Sequence, residues 1–496
     1  MRVPLSQLLA STSVVETGVD PQMQVESLCY DSRRVTPGAL FFALRGAKAE
    51  GSQFVAQAAE LGAIAIVSDA ASSACALPHI QVPQARIAMA DMACSFHGQP
   101  AEALKVMGVT GTNGKTTTAF LVKHLLDADQ KRCGLLGTVK YCIGDEEIEA
   151  PRTTPESADL QDLLAQMVAA GSKAAAVEVS SHALAQHRVR GIGFDTAVFT
   201  NLTQDHLDYH KSMDAYFDAK ASLFEGLRTG TKKKARAIVN VDDRYGRFLC
   251  DRLVRKVPVL TYGRGPECDF RATDLKFDAG GTTFHLAGKG RSYLVRTPLI
   301  GVFNVYNAVA ALAAVSAMGM ELRAAVAALA KAPQVPGRLE RVPARRSFQV
   351  YVDYAHTDDA LRNVLRTLSE LKPARILTVF GCGGDRDAAK RPLMAAAAEE
   401  FSDWCIVTSD NPRSEDPQRI LAGIEKGFRR NRHEQIVDRA AAIHRAVERA
   451  GPGDIVLIAG KGHETTQESA TGKTPFDDVV VARRAIGAKL VEVDEE

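Results

Sequence analysis

The 496-residue sequence has one Trp, 6% aromatic residues, a net charge of only +2 and no C-x-x-C pair among its nine Cys. Each shortage excludes something. The Cys at 29, 75, 94, 133, 142, 250, 268, 382 and 405 are odd in number and lack metal-ligand spacing. They read as reduced, buried thiols, not a disulfide framework or a zinc site, and the expected compartment is a reducing cytoplasm. With 61 Lys and Arg against 59 Asp and Glu, no field of one sign recruits nucleic acid or a membrane surface. Small-molecule partners and a monomeric chain are expected. No apolar run reaches the roughly 18 residues of a membrane-spanning helix. The opening MRVPLSQLLASTSVV is interrupted by Pro, Ser and Gln, so a secretory leader is not expected and the chain is expected to be unprocessed.

What is present is an ordinary globular composition, 46% hydrophobic and 24% charged with 38 Gly and 20 Pro. At roughly 150 residues per domain the length suits about three cores. Internal repeats and low-complexity tracts are absent. The first segment mixes short apolar runs (ESLCYDSRRVTPGALFFALRG), a helical FVAQAAELGA and the strand-like IAIVSD, then breaks at His97-Gly98-Gln99-Pro100. The runs KVMGVTG, AAAVEVS, FDTAVFTN and ARAIVNVDD follow, alternating with helical patterns as crossover units of a largely parallel sheet do. A second break falls at Ala332-Pro333-Gln334-Val335-Pro336-Gly337. Beyond it FQVYVDYA, RILTVFGCGGD, WCIVTSDNP and DIVLIAGKG each end in a loop of Asp, Gly, Asn or His, the strand ends at which open α/β sheets bind ligands. The expectation is an α/β protein with domains at 1–98, 99–334 and 335–496. The central domain is expected to be of parallel-sheet, P-loop type and the last Rossmann-like.

The sharpest local pattern is VMGVTGTNGKTTTAFLVKHLL, a buried strand entering Gly111-Thr112-Asn113-Gly114-Lys115-Thr116-Thr117 and leaving as an apolar-periodic helix. Backbone amides of such a loop, a helix N-terminus and a Lys cradle a nucleotide triphosphate, with a Thr hydroxyl reaching Mg²⁺. Val109 stands where the ordinary pattern has Gly, which argues against the standard switch proteins. A glycine turn with no ligand is the alternative. Glu178 ends the strand AAAVEVS and can hold a cation there, or can be a solvated strand end. Asp205 and His206 end FDTAVFTNLTQDHLDYH in the same way, where a lone His serves equally as a structural hydrogen-bonder. In YFDAKASLF, Tyr216, Phe217, Lys220, Leu223 and Phe224 share one helical face. Lys220 either snorkels to water or is desolvated into a neutral amine able to take up CO₂ as a carbamate, a carboxylate-like ligand for Mg²⁺.

These residues together resemble the Mur ligase family, ATP-dependent amide-forming enzymes of peptidoglycan precursor synthesis. The resemblance runs in order through DSRRVTPGALFFALRG, GTNGKTT, EVSSHAL, NLTQDHLDYH, YFDAKASLF, LIGVFNVYNAVAA, VPGRLE, VDYAHT, GCGGDRD, SDNPRSEDP and AGKGHE, nearly the whole chain. It implies an N-terminal domain for the UDP end of the substrate, a central ATPase domain and a C-terminal domain for the incoming amino acid. It also implies that ATP phosphorylates a carboxylate, that an amine attacks the acyl phosphate, and that Mg²⁺ assists. By the same resemblance Lys115, Glu178, His206 and Lys220 are catalytic. Thr116, Glu178, His206 and carbamylated Lys220 hold metal. Gly111 to Thr117, Asn304, Asn307, Arg338, Asp353 and His356 meet ATP. Tyr30, Ser32, Thr153, Thr154, Ser180, Gln186 and Arg188 match positions for UDP-N-acetylmuramoyl-L-alanyl-D-glutamate, although Thr-Thr-Pro alone is a plausible turn and Arg188 alone a plausible surface charge. Asp358 departs from the family, which usually has Pro there.

The motifs look most like the branch that adds meso-diaminopimelate. That amino acid differs from lysine by one distal carboxylate, and Arg413 in Asp410-Asn411-Pro412-Arg413 can take it bidentately. The other possibility is that Arg413 pairs with Glu415 or Asp416 of its own loop. Arg386, Asp410, Asn411, Pro412, Gly460 and Glu464 complete the implied diaminopimelate set. A lysine-adding ligase, a folylpolyglutamate synthase-like ligase and a nucleotide-dependent switch or scaffold are the competing readings.

Overall fold

A strand whose consecutive residues are all apolar must be covered on both faces, and this condition organises the chain. In Ala39–Phe42 (ALFF), Leu40 and Phe42 join one core with Leu5, Leu8 and Met92, while Ala39 and Phe41 join another with Val55 and Ala58. The computed structural model describes every residue except Met1, 47–49, 71–76, 231, 233, 279, 345–346 and 495–496, and the side chains of 229 and 489–494 also lie outside it. Cys75 is thus outside the described residues. The other eight Cys are unpaired thiols, with Cys29, Cys133, Cys142, Cys382 and Cys405 buried and Cys94, Cys250 and Cys268 partly exposed. No helix among the described residues is long and apolar enough to cross a membrane.

The chain divides into two compact units. The first comprises Met1–Ala272, Leu286–Tyr293 and Tyr306–Leu329; the second comprises Thr273–His285, Leu294–Val305 and Ala330–Glu496. The first unit opens with a five-stranded sheet ordered Glu16–Thr17, His79–Gln81, Ala65–Ser68, Ala39–Phe42, Ser27–Cys29, parallel except for the first pair. The helix Ala85–Phe96 follows this sheet, after which Gln99 adopts a left-handed backbone (φ 56°).

The next sheet of this unit carries its parallel strands in the order Cys133–Leu136, Ala174–Glu178, Lys105–Thr110, Thr196–Phe199, Arg236–Asn240, Val259–Gly263. Two antiparallel strands, Lys140–Ile143 and Glu146–Glu149, extend it beyond Cys133–Leu136. Its register decides which loops share an edge. Glu178 lies opposite Val109, Val177 opposite Leu136 and Phe199 opposite Thr110. The segments beginning at Gly111, Gly137, Val179 and Thr200 therefore leave the sheet at one carboxyl edge.

In the second unit, the sheet order is Glu340–Val342, Gln349–Asp353, Ile455–Ala459, Ile376–Phe380, Trp404–Val407, His433–Gln435, with only the first pair antiparallel. Val350 and Val352 face one core while Tyr351 faces the other. Asp353 lies opposite Ala459, and Phe380 opposite Val407, so the four loop-ended runs of the sequence emerge together. Asp358, the departure from the family pattern, is the first residue of the helix Asp358–Ser369, whose Thr357 cap accepts from Ala360 N. Pro suits such a position by its fixed φ; an Asp suits it by its charge at the positive helix end.

Two of these strand ends are braced from beneath. Arg439, wholly buried, donates to Asp478 through Nε (2.8 Å) and Nη2 (2.7 Å), and also reaches Ser409 O (3.3 Å) and Ala459 O (3.0 Å). Those carbonyls immediately precede Asp410 and Gly460. Removing one member of a fully buried ion pair leaves the other uncompensated, so Arg439→Met is expected to cost about 3–5 kcal/mol. Replacing Asp478 by Leu as well should recover most of it. Thermal unfolding of the single and double variants checks this; equal losses in both would contradict it.

Candidate active site

The glycine turn is held open by neighbours, not by its own bonds alone. Thr112 N donates to Asn201 O (2.9 Å) and Asn113 N to Asn201 Oδ1 (3.0 Å), while Thr200 Oγ1 donates to Asn113 O (2.6 Å). Gly114 has φ +87°, and a Cβ there would overlap Asn307 Oδ1, so both backbone and space require glycine. The helix Lys115–Ala128 starts directly after it, which aims the positive end of the helix at the turn. Lys115 Nζ folds onto the carbonyls of Gly111 (2.9 Å) and Thr112 (2.7 Å).

Glu178 has no solvent exposure. Its carboxylate accepts from Thr116 Oγ1 (2.9 Å), Thr138 N (2.9 Å) and Thr138 Oγ1 (3.0 Å). The solvated-strand-end alternative is thereby removed, and the P-loop Thr is tied to the carboxylate. Lys220 is 1% exposed and does not snorkel. The helix Met213–Thr229 buries Tyr216, Lys220, Leu223, Phe224 and Leu227 along one face. Lys220 Nζ donates to Gly111 O (2.9 Å) and lies over the Tyr216 ring (4.6 Å). Burial first, and the Lys115 charge second, hold its amine well below the usual lysine range.

His206 takes a left-handed backbone (φ 53°) before the short helix Leu207–His210, with Nδ1 3.5 Å from Asp205 Oδ1. Its ring meets His182 edge-on at 4.9 Å, and His182 lies 4.2 Å from the Tyr209 ring. Desolvation, with Lys115 and Lys220 adding to it, lowers the His206 pKa; burial and the neighbouring His206 and His210 bring His182 down to about 4. The imidazoles are therefore biased toward the neutral, lone-pair-bearing form.

A hydrogen-bonded chain leads away from Glu178. Thr154 Oγ1 donates to Glu178 O (2.8 Å) and accepts from Ser180 N (3.0 Å). Thr153 Oγ1 is 3.1 Å from Thr138 Oγ1. Arg188 donates to Thr154 O (2.9 Å) and Gln186 Oε1 (2.8 Å) and pairs with Glu156 (3.0 Å). With only 11% of its side chain exposed, Arg188 is not a surface charge. Tyr30 and Ser32 stand apart from this chain: Tyr30 OH donates to Asp159, and Ser32 Oγ donates to Gln57 Oε1 (2.7 Å).

The second unit gathers the remaining residues. Asp353 accepts from Leu339 N (2.6 Å) and Ala355 N (2.8 Å), and burial raises its carboxyl to about 6 against the opposing Arg338 charge. Arg338 lies over the Tyr354 ring (4.8 Å), His356 Nδ1 donates to Tyr354 O (2.9 Å), and Asn304 Nδ2 donates to Ile300 O (2.9 Å). Gly460 has φ +117°, and its missing Cβ leaves room for the Asp410 carboxylate. Arg413 pairs with neither acid of its own loop: Glu415 is taken by Arg391 (2.8 Å), and Asp416 caps the helix Pro417–Glu425. Instead Arg413 Nε donates to Glu468 (3.1 Å) and Nη1 to Gly384 O (2.8 Å), with 24% of the side chain exposed. Arg386 is exposed, and Pro412 O lies against Gly384.

Sequence reasoning missed Thr138, Asn201, Glu156, Lys461 and Glu468. Thr138 follows an apolar strand, so the rule that singled out Glu178 would have found it. Glu468 lies in the hairpin Thr466–Ser469 to Gly472–Pro475, and no local signal predicts its partner.

Profiles of the Mur ligase family cover most of this architecture: the family's catalytic domain over residues 24–97, the Mur ligase middle domain over 109–315, and the Mur ligase glutamate ligase domain over 337–462. A UDP-N-acetylmuramoyl-L-alanyl-D-glutamate–2,6-diaminopimelate ligase of Solibacter usitatus is 47% identical over 468 residues, covering 94% of each chain. The chain belongs to the Mur ligase family. A Streptomyces coelicolor protein of the same name is 45% identical to this Mur ligase over 497 residues, covering 97% of this chain and 96% of its own. A solved structure of a ligase so named superposes with a TM-score of 0.71 at 36% identity over 99% of both chains. The folylpolyglutamate synthase of Mycobacterium tuberculosis has a TM-score of 0.63 at 21% identity over 81% of this chain, which shows a shared fold alone. The three-domain α/β architecture expected from the sequence is that of this Mur ligase.

Lys220 generates a stability prediction. The unfolded chain binds its proton up to pH 10.5, whereas the folded chain releases it at lower pH. Between those values stability therefore rises with pH. Against Lys220→Met in CO₂-free buffer, the wild type should gain stability as pH rises from its depressed folded value toward 10.5. Urea unfolding across that window measures the slope, and parallel curves would contradict a buried neutral amine.

Proposed function

We propose that this Mur ligase joins meso-diaminopimelate to UDP-N-acetylmuramoyl-L-alanyl-D-glutamate at the expense of ATP, in peptidoglycan precursor synthesis. The observation that carries the amino-acid choice is Arg413, half-satisfied by Glu468 and Gly384 O, with part of its guanidinium open. A distal carboxylate completes its hydrogen bonding, whereas lysine would leave a desolvated charge without that partner. Relatives at 45–47% identity over nearly the whole chain carry the corresponding name, which supports this reading over a lysine-adding or folate-type ligase. Domain roles follow as 1–98 for the UDP end, 99–334 for ATP and 335–496 for the amino acid.

A carboxylate resists attack by an amine because its leaving group is oxide; phosphorylation supplies a good one. In this reading ATP transfers its terminal phosphoryl group to the D-glutamyl side-chain carboxylate. The diaminopimelate amine then adds to the acyl carbon, and the tetrahedral species loses inorganic phosphate and a proton to leave the amide. The chain's part is positioning and charge stabilisation. The turn from Gly111 to Thr117 cradles the phosphates, and Lys115 moves from its two carbonyls onto them. Arg188 holds a carboxylate of the dipeptide, while Thr153, Thr154, Ser180 and Gln186 orient it, with Tyr30 and Ser32 toward its other end. Asn304, Asn307, Arg338, Asp353 and His356 contact nucleotide.

Among the described residues no cluster of three His, Cys, Asp or Glu forms an all-protein cage. Mg²⁺ requires none, since it takes one or two carboxylates and completes its shell with phosphates and water. The buried Glu178 carboxylate beside the Thr116 hydroxyl fits that donor set, with His206 and Lys220 as further holders. When bound, Mg²⁺ neutralises phosphate charge. The Lys220 amine adds through its lone pair to CO₂ and releases one N–H proton to solvent, becoming a carbamate.

Phosphate release with ATP, Mg²⁺ and the UDP-linked dipeptide tests the assignment, with meso-diaminopimelate, lysine and glutamate supplied in turn. Release is expected only with the first; strong lysine-dependent release would overturn it. Arg413→Ala should raise the diaminopimelate KM about 30-fold or more and leave the ATP KM nearly unchanged. Equal rises in both would remove Arg413 from the amino-acid site. Lys220→Ala should be nearly inactive and partly restored by short-chain carboxylates, measured as turnover against added acetate or propionate.

A further inference from the structure

Lys461 has 0% solvent exposure, and the groups it bonds lie nearer the surface than it does. Its Nζ donates to Asn411 Oδ1 (2.9 Å) and to Glu464 Oε2 (2.9 Å). Asn411 closes the triangle by donating Nδ2 to the same Glu464 oxygen (2.8 Å), and its Oδ1 also accepts from Glu468 N (2.9 Å). Asn411 is 7% exposed, and the Glu464 side chain 30% exposed.

An amide has one accepting end and one donating end. With an ammonium and a backbone N–H both directed at one end, Asn411 has a single orientation, and its NH₂ necessarily serves Glu464. Glu464 in turn has Oε2 occupied twice, while Oε1 takes no hydrogen bond among the described residues. A methionine would fill the same space without the cost of desolvating an ammonium. What an apolar side chain cannot do is fix the direction of an amide and a carboxylate at once.

We propose that Lys461 is a positioning residue for the amino-acid site. It locks Asn411 and occupies one oxygen of Glu464, so that the other is presented to an ammonium group of the incoming diamino acid. The inference rests on the assignment of Asn411 and Glu464 to that site under Proposed function.

The test uses the full-length enzyme with ATP, Mg²⁺ and the UDP-linked dipeptide. Lys461→Met is expected to raise the KM for meso-diaminopimelate about tenfold or more, with the KM values for ATP and dipeptide changing less than about twofold. In a Glu464→Gln background the same substitution should add less than about twofold, because the group through which Lys461 acts is already disabled. Full additivity in the double variant, or parallel rises in all three KM values, overturns the proposal. Lys461→Gln keeps a donor without the charge and should fall between wild type and Lys461→Met. If Lys461→Met does not fold by thermal unfolding, Lys461→Gln in the two backgrounds carries the same comparison. A wild-type enzyme showing no diaminopimelate-dependent phosphate release would remove the underlying assignment too. Additivity with an active wild type removes only the role of Lys461.

Discussion

Parallel register is the constraint from which the sites follow. Because Glu178 pairs opposite Val109, Val177 opposite Leu136 and Phe199 opposite Thr110, residues far apart in sequence leave the sheet on one line. A slip of one residue in any of these pairings would turn alternate side chains to the other face. It would part Thr138 from Glu178 and the Thr200–Asn201 pair from the glycine turn. The second unit repeats the device with Asp353 opposite Ala459 and Phe380 opposite Val407. The apolar residues that fill both faces of each strand fix this register, so core packing and site geometry are one requirement.

On that frame the chain buries charge selectively. Glu178, Lys220, Arg439, Asp478 and Lys461 are essentially inaccessible to solvent. Arg439 and Asp478 neutralise each other and brace two strand ends. Glu178 is met by hydroxyl and amide donors that solvate it without cancelling its charge. Among the described residues Lys220 meets a carbonyl and a ring face and bonds no acid, and burial favours its neutral amine. Ionisable groups buried without a counter-ion beside the glycine turn are a use for burial that stability alone does not supply.

The fold shared with folylpolyglutamate synthase at 21% identity does not distinguish among the acids and amines such enzymes join. In the proposed reading, discrimination sits in a few groups on loops of the second unit. Arg413 there has a left-handed backbone (φ 51°) and donates its N–H to Glu468 O (3.0 Å). Its guanidinium is thus set by a hairpin some fifty residues further along the chain. The glycine turn, by contrast, carries its meaning in seven consecutive residues.

Local patterns determined the α/β class and the glycine turn. Each is written in contiguous residues whose periodicity or conformational need is local. The order of motifs likewise carried the family. Tertiary structure alone decided that Lys220 is buried and not snorkelling, since helical periodicity gives a face but not what covers it. It alone decided that Arg413 turns to Glu468 and not to Glu415 or Asp416, because those acids are claimed by Arg391 and by a helix N-terminus. The pairings of Glu156 with Arg188 and of Lys461 with Asn411 were invisible for the same reason. These two partners lie 32 and 50 residues away in sequence, and only strand register and packing bring such groups within a hydrogen bond of one another.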